Sequence, residues 1–332
     1  MLQINLHRCT FFSTFAAASS MYSMKRLIYL AVIGSLVALS ACSNKDDEPR
    51  YDGGTDAVVP VKMLDPIAGC LNGIFSVSAT ERVHFSKGNL QYQASTNTWR
   101  FATNQYDFVG DATDGNVKVG TTKCDNSKIS NTYSGWIDLF GFGTGSNPTN
   151  SSTTSTEYST YVEWGSNRIY NGGDMVDQWR TLTDDECTYL FHGRANAEKL
   201  CGMGKVNGVK GVILLPDDWV LPDGVTFNDC TSKQMIWRSS LGRYDDNNQN
   251  TDHFSDNTYS ITQWTKMEKA GAVFFPLAGY REGLNIKHLG EIGWYWTRTA
   301  DNKFRTFVYQ NYQIIPVFVQ VNYCGLAVRL VR

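Results

Sequence analysis

The stretch WRTLTDDECTYL, residues 179–190, carries the clearest start signal in the chain. A threonine side-chain oxygen can accept from the free backbone N–H groups at a helix start, and Thr183 is placed for this. Glu186, three residues on, can reach back to the N–H of the cap residue, which completes a capping box. The spacing predicts a helix with Cys187, Leu190 and Phe191 on one face, fading near His192-Gly193.

Downstream, KVNGVKGVILL (205–215) has the pattern of a β-hairpin, because Asn207-Gly208 supplies the two positive-φ residues of a tight turn. Ser260-Ile261-Thr262-Gln263 opens a second short helix through Glu268, ended by Gly271, and Ala272–Leu277 follows as an apolar strand. The tail TFVYQNYQIIPVFVQVNYCGLAVRLVR (306–332) gives two or three closing strands. Upstream, FSVSATERVHFSKGNLQYQASTNTWRF (75–101) places Val83, Phe85, Leu90, Tyr92, Trp99 and Phe101 on successive short strands. Turns fall at Lys87-Gly88-Asn89 and Ser95–Asn97. Asp111–Asn131 and Thr144–Thr160 are polar loops around a compact aromatic segment, Gly135–Gly143. With no internal repeat and no heptad, the expectation is an α+β domain, strand-dominated, with two short helices and long loops.

Net charge is −2 over 332 residues and only 19% are charged, with no Lys/Arg run, so no nucleic-acid footprint is present. Eight cysteines occur. Cys9 and Cys42 precede the domain; Cys70, Cys124, Cys187, Cys201, Cys230 and Cys324 allow up to three disulfides in an exported chain, or free buried thiols. No C-x-x-C pair marks a zinc site.

The N-terminus carries an address. Lys25-Arg26 precedes the apolar run LIYLAVIGSLVAL (27–39), which is too short to span a bilayer comfortably. Leu39-Ser40-Ala41-Cys42 resembles a bacterial lipobox. That resemblance implies a signal peptide over 1–41, with Met21 and Met24 as alternative starts, and an acylated Cys42 as the mature N-terminus. Ser43-Asn44-Lys45-Asp46-Asp47-Glu48 is similar to the export signal of surface lipoproteins of some Gram-negative bacteria. It implies a lipid-anchored protein on the outer membrane, exposed at the cell surface. Residues 42–73 are then a tether and 74–332 the domain. Like charges in series also suit an extended tether.

Residues 179–190 resemble the R-L-P-T-x-x-E-W-E-Y-A helix of the formylglycine-generating-enzyme and sulfatase-modifying-factor superfamily. Phe275-Pro276-Leu277-Ala278-Gly279-Tyr280-Arg281, Gly293-Trp294-Tyr295-Trp296-Thr297 and Gly325-Leu326-Ala327-Val328-Arg329-Leu330-Val331-Arg332 look like its later blocks. The resemblance spans roughly Phe75 to Arg332. It implies a C-type-lectin-like fold in which the N- and C-terminal strands pair and long loops carry function. It is closest to the non-catalytic branch found in bacterial surface lipoproteins, some of them variable ligand-binding proteins. Cys187 stands where that family has tryptophan.

An active oxidase of that superfamily needs two closely spaced C-terminal cysteines for copper and substrate. Here Cys324 stands alone, with Cys230 far upstream. His84, His192, His253 and His288 lack metal-ligand spacing, and neither H-E-x-x-H nor G-x-S-x-G occurs. The domain is therefore expected to be non-catalytic and without a cofactor. Calcium stays open at Asp245–Asp252, which has oxygen ligands at alternate positions but lacks the glycine and terminal glutamate of an EF-hand. Asn228-Asp229-Cys230 is only a partial match to the W-N-D triplet of sugar-binding C-type lectins.

The segment 293–316 concentrates aromatic and guanidinium groups, a pairing common at recognition surfaces. Trp296, Arg298, Arg305, Tyr309, Asn311 and Tyr312 are the expected contacts for a protein or glycan ligand, with one of Trp294 and Trp296 facing the core. Burial of Arg298 and Arg305 would need paired carboxylates, and the segment holds only Asp301. The alternatives are an oxidase like the sulfatase-modifying enzymes and a structural subunit of a surface appendage.

Overall fold

The computed structural model describes residues 67–108, 124–125, 129–233, 235–298 and 305–332. The expected signal peptide, Cys42 and the acidic run lie outside them, as do most of the first expected loop and residues 299–304. The described residues all fall within one unit, Leu64–Arg332.

Short paired strands open the domain. β1 (Phe75–Ser76) pairs with β2 (Arg82–Val83), and β3 (Leu90–Gln93) pairs with β4 (Thr98–Phe101) across a turn in which Asn97 is left-handed. Within the expected long loop, β5 (Cys124–Asp125) joins a small sheet.

The capping box forms as its spacing predicts. The Glu186 N–H donates to Thr183 Oγ1 (3.2 Å) and the Thr183 N–H donates to Glu186 Oε2 (2.7 Å). α1 (Asp184–Thr188) runs into one wider π turn, Tyr189–Gly193. β6 (Cys201–Val206) and β7 (Val209–Leu214) form the hairpin, with Asn207 and Gly208 both at positive φ. β8 (Ile236–Arg238), β9 (Arg243–Asp245) and β10 (Thr258–Tyr259) follow. Ser260 and Gln263 form a second capping box for α2 (Ile261–Lys269), and Gly271 beyond it is left-handed. β11 (Val273–Pro276) is fully buried, then β12 (Tyr280–Glu282) and β13 (Asn285–Lys287) pair. The closing meander is β14 (Gly293–Thr297), β15 (Arg305–Gln310) and β16 (Gln313–Val319).

Two sheets dominate, ordered β10-β6-β7-β11 and β14-β15-β16-β9-β8. Together they make a strand-rich α+β domain. One core gathers Phe85, Phe191, Phe275, Tyr295, Phe307 and Tyr309 around these sheets. A second packs Trp99, Phe140, Trp164, Trp179 and Trp296 against Leu326–Leu330.

The last residues close onto the first. His84 and Arg332 exchange backbone hydrogen bonds of 2.8 and 2.9 Å, and the Ser86 and Leu90 N–H groups donate to Leu330 and Val328. Arg180 and Val331 bond both ways. The Leu71 N–H donates to Phe85 O, Cys70 bridges Ser86, and Leu71 is buried. The expected boundary at residue 73 is therefore too late, because residues 67–73 are already held by the domain.

Two arginines are buried without carboxylate partners among the described residues. Arg281, fully buried, donates to the carbonyls of Leu139, Gly283 and Asn150. Arg329 reaches the side-chain oxygens of Gln105 (2.7 Å) and Asn89 (3.4 Å), and burial lowers its pKa to about 10. Backbone and amide oxygens here replace the carboxylates that a buried guanidinium was expected to require.

Candidate ligand-binding surface

Strand β15 reads RTFVYQ, and Thr306, Phe307, Val308 and Tyr309 are all buried. It sits between β14 and β16, with a register irregularity between Thr306 and Val308. A strand covered on both faces carries apolar groups at consecutive positions. Tyr309 is therefore a core residue and not a ligand contact. It is 0% exposed, stacks on Tyr295 at 6.1 Å between ring centres, and donates its hydroxyl to the Phe275 and Pro276 carbonyls. Burial pushes its phenol well above the ordinary value.

Trp296 is corrected in the same way. It is 2% exposed, packs on Phe142 and donates Nε1–H to Phe140 O. Trp294, half-buried between Tyr280 and Phe318, is the more open member of the pair.

The other four residues reach the surface at two places. Arg298 is exposed, and its backbone is fixed beside the α1 cap: its N–H donates to Leu182 O (2.8 Å) and its carbonyl accepts from Asp184 (3.2 Å). Among the described residues Arg298 has no acidic partner. Arg305, partly buried, brings Nε to 3.8 Å from Asp184 Oδ2 and lies opposite exposed Val319. Burial of Asp184, with Asp185 beside it, raises the Asp184 carboxyl pKa.

Asn311 and Tyr312 form the turn at the far end of β15, roughly 17 Å away at strand rise. There the Asp246 N–H donates to Tyr312 O, the His253 N–H donates to Asn311 O, and Asn311 Nδ2 reaches Gln249 O. The single patch expected from the sequence is therefore two separate sites.

The loop considered for calcium closes on itself. Asp245 pairs with Arg243 (2.7 Å), Asp246 with His253 Nε2 (3.0 Å), and Asp256 with His253 Nδ1 (2.7 Å). Asp252 lies near Lys210. Asp246 and Asp256 are both taken up by His253 and Asp245 by Arg243, and among the described residues no group of three His, Cys, Asp or Glu side chains is arranged to hold a metal ion.

A further surface carries no motif. Ile169–Trp179 forms a loop whose base is pinned: Asn171 accepts from the Phe101 N–H (2.7 Å) and donates to its carbonyl (2.9 Å), and Trp179 Nε1 donates to Gly172 O (2.8 Å). From this base Tyr170 (73% exposed), Met175 and Val176 face solvent. Apolar side chains on a rigid base suit recognition, since little order is lost on contact. The available signal was the Asn-Gly-Gly-Asp turn chemistry around an apolar pair.

The chain matches no family model, no curated protein and no solved structure. Its function is therefore argued from the residues themselves. Two places on the surface present side chains for contact: the edge of exposed Arg298 and partly buried Arg305 beside α1, and the Tyr170–Val176 loop.

Proposed function

We propose that this chain is a lipid-anchored surface protein of the outer membrane whose C-type-lectin-like domain binds a protein or glycan without transforming it. The observation that carries this reading is the order Leu39-Ser40-Ala41-Cys42 followed directly by Ser43-Asn44-Lys45-Asp46-Asp47-Glu48. An acylated Cys42 with more than one chain holds a protein on a membrane stably, whereas one acyl chain is marginal. The lectin-like reading draws support from the closing segment, which hydrogen-bonds to the entry segment from His84 to Leu90.

Ligand contact is assigned to the Arg298–Arg305 edge. Arg298 is exposed on a backbone fixed by the α1 cap, so its guanidinium is presented from a rigid element. The test is to probe glycan and protein arrays with the chain begun at Asp56. Arg298→Ala and Arg305→Ala should weaken the ligand by roughly 5–30-fold if they are hot spots. Equal affinity in both, with a loss in Tyr170→Ala or Met175→Ala, would move the site to the 169–179 loop. No ligand on either array would count against a binding role.

A further inference from the structure

Six cysteines of the domain allow fifteen connectivities, and the structure singles out one pair. Cys201 begins β6, and Cys230 lies in the segment leading to β8. Both are free thiols here, and their sulfurs touch at 3.1 Å, about 1 Å longer than a disulfide bond. The Cys230 N–H also donates to Cys201 O at 2.9 Å, which holds the two backbones within the span of a bridge. Both residues are buried.

Polar bonds independent of the sulfurs fix this geometry. Asn257 Nδ2 donates to Met203 O (2.8 Å) and Asn228 O (2.9 Å), while Asn257 Oδ1 accepts from the Asn228 N–H (2.8 Å). The Met235 N–H donates to Cys230 O. Asn257 thus ties the strand to the loop beside the pair, and the Met235 N–H bond folds the loop back onto Cys230. Among Cys70, Cys187, Cys201, Cys230 and Cys324 no other two touch.

We propose that Cys201 and Cys230 form a structural disulfide when the chain folds in an oxidising compartment. Two thiols lose two protons and two electrons, and one S–S bond forms. A disulfide donor, either a protein disulfide or oxidised glutathione, accepts the electrons and becomes two thiols through a mixed-disulfide intermediate. The hydrogen bond with the Cys201 thiol, together with burial, pushes the Cys230 pKa up, so attack by its thiolate is suppressed in the closed domain. Exchange therefore belongs to folding, before the segment closes, and the finished bridge is shielded from reductant.

Formation in cells rests on the export reading, whereas the pairing does not, and the experiment has an arm for each. Full chain is extracted from cells, alkylated in denaturant without reduction, and digested with trypsin. Peptide 200–205 should be found joined to peptide 211–233, and the link should vanish on reduction. In the second arm, purified chain is reduced and refolded with oxidised glutathione, and the same link should form. A link made in the second arm but missing from cells upholds the pairing and removes export to an oxidising compartment. Both peptides alkylated in both arms, or either joined to another cysteine, overturns the proposal. Reductant present during unfolding should lower Tm by about 5–10 °C, from closure of a loop 29 residues long. The shift should be absent in Cys201→Ala/Cys230→Ala, and an equal shift in that variant would overturn the assignment.

Discussion

Replacing Tyr309 by Phe removes one hydroxyl from the core. That hydroxyl donates to the Phe275 and Pro276 carbonyls. Pro276 O keeps a second donor, Tyr295 OH at 3.0 Å, and Phe275 stays paired with Val212 across the β11–β7 ladder. A buried hydrogen bond lost from acceptors that keep other partners costs about 0.5–1.5 kcal/mol. At this size that is a Tm fall of about 1–6 °C. Tyr309→Ala adds a cavity beside Tyr295 and Phe307 and should cost about 3–5 kcal/mol. Gly293 gives a second handle, because a Cβ there would run into the Tyr309 ring. Gly293→Ala should be damaging alone and much less so beside Tyr309→Ala, a coupling measurable in a double-mutant cycle. The assay is urea unfolding followed by tryptophan fluorescence. If Tyr309→Phe matches the parent and Tyr309→Ala costs under about 1 kcal/mol, the ring is not in the core and its placement here is wrong.

Cys187 lines a cavity of about 20 Å³ with Leu182, Leu190, Phe191, Phe275 and Phe307. Cys187→Val should stabilise by about 0.5 kcal/mol by filling it, whereas Cys187→Trp should destabilise by about 1–3 kcal/mol because the space is far smaller than an indole. Thermal unfolding of the two variants checks the opposite signs. The Asp246 carboxyl is held below the ordinary range, chiefly by the Asn248 N–H and further by His253. Its unfolded form binds the proton more readily, so its contribution is complete above pH of about 4 and is lost as pH falls below that. Asp246→Asn should flatten the acid side of the stability–pH curve, and an unchanged slope would contradict the assignment.

Much of the local structure was legible in the sequence because it is set by near neighbours. Thr183 with Glu186 and Ser260 with Gln263 form their capping boxes, and Asn207-Gly208 turns its hairpin. These devices need only three or four residues to operate. The exposed surface was harder to read, since it depends on which strands are covered. β15 and its neighbours carry Trp296, Tyr309, Arg305 and Tyr312 at similar local composition, yet sheet order buries the first two and leaves the others at opposite ends. The charge argument covered only Arg298, which is exposed, and Arg305, which is partly buried near Asp184; the buried Arg281 and Arg329, held by carbonyl and amide oxygens, gave no signal in nearby acids. The start of the domain was placed late because Gly69 and Gly73 resemble linker residues, while Leu71 between them is tied to Phe85 across the chain.

The most direct test is the mass of the N-terminal peptide of the protein isolated from membranes. A lipid-anchored surface protein requires a mature chain that begins at Cys42, carrying a diacylglyceryl group on its sulfur, with the upstream 41 residues gone. That mass is the predicted result, and Cys42→Ser should abolish it together with incorporation of labelled palmitate. A mature chain that begins elsewhere, or a Cys42 recovered with a free thiol, contradicts the anchored reading.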